Sequence, residues 1–334
     1  MIFVTGGTGL VGSHILLKLA QKSKQFKALK RESSSLDVCK SIFRYYNEEN
    51  LFEKINWVDG DVNDILSLEE GMKGCNLLLH CAGIVSFLNS DIELLKKVNI
   101  EGTANVMNIA LNLGIRKVGF VSSIAALGRN SSNGMVDEDC HFKISKLDSN
   151  YALSKYLSEQ EVWRASAEGL DVVIINPSVI LGPGDWKKGS SQIFEKIYKG
   201  LKFYSTGSTG YVDVSDVADS IIQLLFSDIK NERFIINGAN LKYQDCFNRI
   251  ALALGKKKAT IRVTPFLKEI VWRVEALKSF ITRKSPLITR ETANNAMTES
   301  SFSASKIKSA LSFQFTEIDV TIKKYANWFI SDQF

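Results

Sequence analysis

The sequence predicts an α/β fold: a doubly wound parallel sheet with a smaller C-terminal α/β lobe. Three observations predict it. Short, nearly uninterrupted apolar runs alternate with segments of helical spacing through the first half of the chain. Strands that are apolar along their whole length are buried on both faces, and helices packed on a parallel sheet provide that burial. After about residue 178 the rhythm loosens into Gly-rich loops and short strands, which marks a second lobe.

The elements follow in order. "IFVT" (2–5) is the first strand, and "LVGSHILLKLAQKS" (10–23) is a helix with Ile15, Leu16 and Leu19 on one side. "FKALK" (26–30) is a strand, and "SLDVCKSIFRYYN" (35–47) is a helix capped by a serine. "INWV" (55–58), "NLLLHC" (76–81), "KVGFVS" (117–122) and "DVVIIN" (171–176) are further strands. Long helical segments at about 89–113 and 149–168 separate the later ones. "SVILGPGDWKKGSS" (178–191) is a Gly-rich loop, and "YVDV" (211–214) and "RFIIN" (233–237) are short strands before further helices.

Composition narrows the function classes. A chain of 334 residues suits one large α/β unit carrying a second lobe. Its 42 Lys and Arg are interleaved with 36 Asp and Glu, so the net charge of +6 does not point to nucleic acid. The local "GKKKATIR" (255–262) reads as a solvated loop and strand edge in preference to a polyanion site. The cysteines are five in number, irregularly spaced and without C-x-x-C, which fits a reducing compartment and neither a disulfide framework nor zinc. Cys75, His80 and Cys81 fall on or beside one strand, where alternating side chains make poor joint ligands, so no metal site is expected. No signal peptide and no run of 18 uncharged apolar residues is visible, and a cytoplasmic location is expected. The segment 265–281 reads as a lobe helix in preference to a membrane-surface helix, because Glu269 and Glu275 dilute its basic face.

"TGGTGLVG" (5–12) stands between the first strand and the first helix. A helix N-terminus offers unpaired N–H groups and a positive dipole end, which attract phosphate. Gly6, Gly9 and Gly12 let the backbone approach a pyrophosphate and let the helix pack on the strand, the demands of a dinucleotide-binding turn. At the end of the second strand an acidic side chain would meet a free 2′-hydroxyl, whereas arginine suits a 2′-phosphate. The sequence there is "ALKRESSS" (28–35), so Arg31 favours NADP(H) over NAD(H), with Glu32 one step further on tempering the pocket.

"SNYALSKYLSE" (149–159) puts Tyr151 and Lys155 on one helical face. A tyrosine hydroxyl is a poor acid–base catalyst at neutral pH, and a lysine ammonium one turn away favours its phenolate. "FVSSIAALG" (120–128) ends the fifth strand with Ser122 and Ser123, where a hydroxyl can hold a substrate oxygen beside the tyrosine.

Together these segments resemble the extended short-chain dehydrogenase/reductase family, also described as the NAD-dependent epimerase/dehydratase superfamily. The resemblance rests on TGGTGLVG (5–12), DGDVND (59–64), HCAG (80–83), VNIEGTANV (98–106), VSSIAALG (121–128), YALSK (151–155) and PSVILGPG (177–184), in the family's order, with YVDVSDVA (211–218) as a later motif. It covers essentially the whole chain and is strongest over 1–220. It implies a Rossmann-like NAD(P)-binding domain over 1–177, its sheet completed by later segments around 211–237. A mainly substrate-binding lobe over 178–334 would be interleaved with that core. It implies Tyr151 as proton donor or acceptor, Lys155 lowering its pKa and binding the nicotinamide ribose, and Ser123 holding the substrate oxygen. The implied cofactor contacts are Gly6, Thr8, Gly9, Leu10, Val11, Gly12, Arg31, Asp61 at the adenine, Val62, Ala82, Gly83, Tyr151, Lys155, Pro177, Ser178 and Val179. Asn99 resembles a helix asparagine of structural role, and dimerisation through the 89–113 and 149–168 helices is implied as well.

Three branches of the family compete. Nucleotide-sugar epimerases carry an Arg-Pro-x-Asn motif after the sixth strand, and here "NPSV" (176–179) places Asn176 at the Arg and Val179 at the Asn. Dehydratases place Asp-Glu after the catalytic hydroxyl, and here Ile124 and Ala125 follow Ser123. The dihydroflavonol 4-reductase-like branch, with the 3β-hydroxysteroid dehydrogenase-like one beside it, matches better and shares the arginine after strand two. The expectation is an NADP(H)-dependent oxidoreductase acting on the carbonyl or alcohol of a small hydrophobic or mixed substrate. The alternatives are an NAD-dependent nucleotide-sugar epimerase or dehydratase, and a dinucleotide-sensing regulator without catalysis. Trp186, Phe203, Tyr204 and Phe87 are candidates for the substrate pocket or for core.

Overall fold

The computed structural model describes residues 1–128, 134–145, 148–264 and 296–333, together with 266, 269 and 273. The segment 265–281, expected to be a helix, therefore lies almost entirely outside the described residues. In chain order the described strands are β1 (Ile2–Thr5), β2 (Phe26–Lys30), β3 (Asn56–Asp59), β4 (Leu77–His80), β5 (Lys117–Val121), β6 (Asp171–Pro177), β7 (Val179–Leu181), β8 (Phe203–Tyr204), β9 (Ser208–Asp213), β10 (Glu232–Ile236), β11 (Ala239–Lys242) and β12 (Ile261–Arg262). The described α-helices are α1 (Leu10–Gln21), α2 (Asp37–Tyr45), α3 (Glu49–Phe52), α4 (Ile65–Met72), α5 (Ile92–Leu95), α6 (Gly102–Asn112), α7 (Asn150–Ala167), α8 (Gln192–Tyr198), α9 (Val214–Phe226), α10 (Tyr243–Ala253), α11 (Ser305–Leu311) and α12 (Ile318–Ser331).

Seven strands pair in the order β10-β6-β5-β4-β1-β2-β3, all parallel. The order reverses between β1 and β4, and in sheets of this kind ligands bind beyond the carboxyl ends of the strands at such a point. Successive residues of each strand feed two apolar layers. Ile2, Val4, Leu77, Leu79, Val173 and Ile175 meet Ile15, Leu16 and Leu19 of α1 and Ile221 and Leu225 of α9. Phe3, Leu78, Val118, Phe120, Val172 and Ile174 meet Val106 and Met107 of α6 and Val162 and Ala165 of α7. Of the later segments, Glu232–Ile236 joins the large sheet at its edge, whereas Ser208–Asp213 pairs in a three-stranded sheet with β7 and β11.

Several local expectations need correction. Helix α1 is buried on more than one side, with His14, Ile15, Leu16, Leu17 and Leu19 all inaccessible, because α9 and α2 pack on it as well as the sheet. The cap of α2 is Leu36, and Ser35, one position earlier, accepts a hydrogen bond from the Asp37 amide at 3.1 Å. The segment 89–113 is broken into a 3₁₀ turn (Asn89–Asp91), α5, a π-helical stretch (Lys96–Glu101) and α6. A Cβ on Gly102, at the end of the π stretch, would lie 2.7 Å from Val62 Cγ2, so glycine lets this helix approach the loop after β3.

The C-terminal helix is tied to the end of β9. Buried Asp213 accepts hydrogen bonds from the Tyr325 hydroxyl at 2.7 Å and Thr321 Oγ1 at 2.8 Å, both on α12. Asp216 accepts from Thr316 through its amide (2.7 Å) and its hydroxyl (2.9 Å). Trp186 packs on Phe194 and Phe329 in this lobe's core.

Candidate functional site

The glycine turn shows which demands come from within the protein. Gly6 has φ +72°, a left-handed conformation, and a Cβ on it would lie 2.5 Å from the Ala82 amide nitrogen. A Cβ on Gly12 would meet the Gly6 carbonyl oxygen at 2.1 Å. Gly9 is different. It is exposed, and its Cβ would meet only the Gly6 carbonyl oxygen at an ordinary 3.5 Å. Gly9 is also the N-cap of α1 and offers no side-chain cap, so the helix's leading N–H groups stay open to an outside acceptor. A cradle that only an external group would fill, in front of an uncapped helix, fits a pyrophosphate. Thr8, Leu10 and Val11 are partly buried in this turn, and Leu10 lies against Gly182 and Gly184 of the lobe.

Arg31 is exposed just past β2 and makes no ion pair among the described residues. Its neighbour Lys30 is held by Asp59, so the two cations differ in availability. Asp61 follows β3, and its Oδ1 accepts from the amide (2.8 Å) and side chain (3.0 Å) of Asn63. Val62 beside it is buried. Ala82 and Gly83 follow β4, and the Ala82 amide donates to Thr5 Oγ1 at 3.3 Å.

Ser123 follows β5, and Tyr151 and Lys155 lie in the first two turns of α7, which Ser149 caps at the Ala152 amide. The Ser123 hydroxyl is the side-chain group that acts on the Tyr151 hydroxyl. It also accepts from the Ala125 amide at 3.1 Å, which leaves its proton free to donate. Lys155 is buried, and its Nζ donates to the Val121 carbonyl at 2.9 Å. Burial raises the Tyr151 hydroxyl above its usual pKa, and Ser123 is the group acting against that rise. Burial likewise lowers Lys155 to about 8, against the opposing pull of Glu159 and Cys81. In the protein alone burial outweighs any lowering of Tyr151, and the Lys155 ammonium, with one of its three protons on the Val121 carbonyl, keeps two further donors.

Pro177 ends β6, Ser178 is buried beside it with an unpartnered hydroxyl, and Val179 opens β7. The turn after β1 and the residues past β2, β3, β4, β5 and β6 thus lie along one carboxyl edge of the sheet, where the helix bearing Tyr151 and Lys155 also begins. Phe87 joins them, its ring edge-on to Tyr151 at 5.5 Å. Phe203 is exposed in the small lobe and Trp186 belongs to the lobe core, so neither is gathered at the tyrosine.

Sequence reasoning gave Asn99 a structural role but not its partners, and it missed the rest of the bracing. Asn99 holds Ile84 at both polar backbone atoms, at 2.8 and 3.1 Å, and reaches Ser154 Oγ at 3.0 Å. His80 is fully buried between Thr5 Oγ1 (2.6 Å) and Thr103 Oγ1 (3.0 Å). Thr103 donates onward to the Asn99 carbonyl, so His80 Nε2 must donate to Thr103 and Nδ1 must accept from Thr5. A histidine inside an apolar run was the visible sign, but its partners lie 75 and 23 residues away. Glu159, one turn past Lys155, is also buried and unforeseen. Among the described residues no group of three His, Cys, Asp or Glu side chains could hold a metal ion, and no helix is long and apolar enough to cross a membrane.

Known proteins resemble this chain over most of its length. A model of the NAD dependent epimerase/dehydratase family matches residues 2–236. A protein of Synechocystis sp., provisionally named a dihydroflavonol 4-reductase, is 30% identical over 334 residues, covering 98% of this chain and 94% of that one. Cinnamoyl-CoA reductase 1 of Oryza sativa subsp. japonica is 25% identical over 311 residues, covering 89% of each chain. The crystal structure of gox2253 superposes with a TM-score of 0.80 at 28% identity, covering 99% of this chain and 98% of the other.

Proposed function

Because this chain belongs to the NAD dependent epimerase/dehydratase family, we propose that its reaction is hydride transfer between NADP(H) and a carbonyl or alcohol carbon. The chain is an NAD(P)-dependent oxidoreductase of the extended short-chain dehydrogenase/reductase type. The observation that carries the proposal is the Ser123–Tyr151 hydroxyl pair with Lys155 one turn away, at the sheet edge that holds the glycine turn.

The nicotinamide, when bound, supplies or accepts the hydride. The chain's own residues handle the oxygen and the proton. Tyr151 gives its proton to the carbonyl oxygen, and Ser123 donates a hydrogen bond to the same oxygen. Lys155 carries its charge below about pH 8, where it stabilises the tyrosinate left behind. In the oxidative direction the same groups work in reverse. Arg31 supports NADP(H), because an exposed guanidinium without an ion-pair partner among the described residues offers a planar fork to a 2′-phosphate. Asp61, Val62, Ala82, Gly83, Pro177, Ser178 and Val179 line the remaining length of the cofactor in this reading.

Phe87 against Tyr151 and the exposed Val85 support a small hydrophobic or mixed substrate. The reductase names of the two relatives support carbonyl reduction as the direction to try first. A homodimer through α6 and α7 belongs to the same proposal. The second reading is a nucleotide-sugar epimerase, which the family name keeps open and which Val179, in place of the motif's asparagine, speaks against. A panel of ketones, aldehydes, alcohols and UDP-sugars, followed by NADPH absorbance and product analysis, separates the two. Turnover of a carbonyl with NADPH supports the proposal, and turnover of a UDP-sugar without net NADPH change replaces it.

A further inference from the structure

Three consecutive residues, the last of β5 and the two after it, are each held by a different side chain. The Val121 carbonyl accepts from Lys155 Nζ at 2.9 Å. The Ser122 hydroxyl donates to Glu159 Oε2 at 2.7 Å. The Ser123 carbonyl accepts from Asn176 Nδ2 at 2.9 Å, and that amide also donates to Glu159 Oε2 at 2.9 Å. Glu159 is only 1% exposed, yet its other oxygen accepts from Arg233 Nη1 at 3.1 Å and from Trp163 Nε1 at 3.4 Å. Arg233 is itself anchored on the Glu138 carbonyl through Nε at 2.9 Å and through Nη2. One buried carboxylate therefore ties α7, the ends of β5 and β6, and the edge strand β10 at a single point.

A buried charge of this kind is costly unless fully paired, and replacing it by well-packed apolar groups is often neutral or stabilising. Stability alone is thus a weak reason for four donors to converge on Glu159. The groups it faces point to another role. Glu159 follows Lys155 by four residues on one helix, so the two side chains share a face. Lys155 is also faced by Tyr151 on its own helix, by His80 and Cys81 at the end of β4, and by the Phe120 ring of β5 at 4.7 Å. Glu159 is the anionic member of this set. Arg233, approaching from β10, balances its charge.

We propose that Glu159 is a positioning residue for the reaction: through Ser122 and Asn176 it fixes the main chain that presents Ser123, and from the same helical face it sets its carboxylate one turn from Lys155. Asn176 is the second positioning residue, since its amide is the bond that joins the carboxylate to the Ser123 carbonyl. Arg233 is the counter-ion that makes the buried charge tolerable. The kinetic part of this inference rests on the hydride-transfer reading above, whereas the charge on Lys155 can be read without any reaction.

The test uses Glu159→Gln and the double variant Glu159→Gln with Arg233→Gln in the full chain. Removing Arg233 along with the carboxylate leaves no unpaired buried charge, so where the single variant does not fold the double one carries the test. The first readout is the titration of the Lys155 ε-methylene carbon by NMR, assigned by its loss in Lys155→Met. The inference expects that titration to move to lower pH by about one unit in both variants. It also expects kcat for carbonyl reduction to fall by about tenfold or more, with KM for NADPH changed less than about twofold. Asn176→Ala is expected to lower kcat while leaving the Lys155 titration in place. A Lys155 titration unmoved in the double variant, with kcat retained, would overturn the inference and leave Glu159 as a folding contact. Absence of any NADPH-dependent carbonyl reduction by the wild-type chain would overturn the reaction instead, and the NMR titration would still decide the charge on Lys155.

Discussion

A Cβ on Gly12 would lie 2.1 Å from the carbonyl oxygen of Gly6, so the first helix can pack on the turn as it does only if position 12 lacks a side chain, while Gly6 is fixed by its left-handed φ and the Ala82 amide. Gly9, between them, has no such constraint, since its Cβ would touch the same oxygen at 3.5 Å. The two glycines therefore separate folding from binding. Gly12→Ala is expected to lower Tm by several degrees or to prevent folding, because the obstacle is backbone that cannot move aside. Gly9→Ala is expected to leave Tm within about a degree while weakening NADPH binding by roughly tenfold or more. Thermal melts and fluorescence titration of NADPH check both. A Gly9→Ala variant that binds NADPH normally would remove the pyrophosphate from this cradle.

Arg31 makes a separate prediction about which dinucleotide binds. A charge-assisted hydrogen bond to a phosphate contributes about 1.5–3 kcal/mol, which is roughly ten- to a hundredfold in affinity. Arg31→Ala should weaken NADPH by that factor and leave NADH within about twofold. Equal losses for the two cofactors would mean that Arg31 contacts something common to both. Wild-type binding of NADH as tight as NADPH would move the protein to an NAD-dependent assignment.

Two buried imidazoles set the acid stability. Burial lowers His14 from the usual 6.5 to about 4 and His80 from 6.5 to about 3. Below pH 6.5 the unfolded chain takes up protons that the folded chain refuses, so both residues make stability fall as pH falls. Asp216 works the other way. Burial raises its carboxyl from 3.8 to about 6, so its contribution is present at low pH and lost as pH rises through that window. Between pH 7 and pH 5 the histidines outweigh the aspartate, and the net loss is on the order of 3 kcal/mol. Tm measured across this range should drop by several degrees, and a Tm that holds steady or rises would contradict the buried neutral imidazoles.

Much of this site was legible because its marks are local in sequence. Gly6, Gly9 and Gly12 fall within one turn, Tyr151 and Lys155 within one helical repeat, and Arg31 stands at a predictable distance after the second strand. The strands could be read because burial on both faces makes "LLLH" and "VVIIN" continuous apolar runs. What could not be read depends on register between distant strands. Nothing in "NPSV" shows that Asn176 will bridge Glu159 and Ser123, and nothing in "ERFII" shows that Arg233 will reach Glu159. The π-helical stretch at Lys96–Glu101 was invisible for another reason. A widened turn changes the hydrogen-bond step without disturbing the apolar spacing that signals a helix. The serine before α2 shows the same limit at smaller scale, since a cap is defined by backbone angles that composition does not carry.

The central claim is that Tyr151 protonates the oxygen of a carbonyl as the cofactor's hydride reaches its carbon. It is tested most directly by single-turnover oxidation of enzyme-bound NADPH, with a carbonyl substrate from the panel, in wild type and Tyr151→Phe. Phenylalanine keeps the ring that meets Phe87 and removes only the hydroxyl. The account predicts NADPH affinity within about twofold of wild type and a rate of NADPH oxidation lower by about a hundredfold or more. A Tyr151→Phe enzyme that oxidises bound NADPH at the wild-type rate would contradict it.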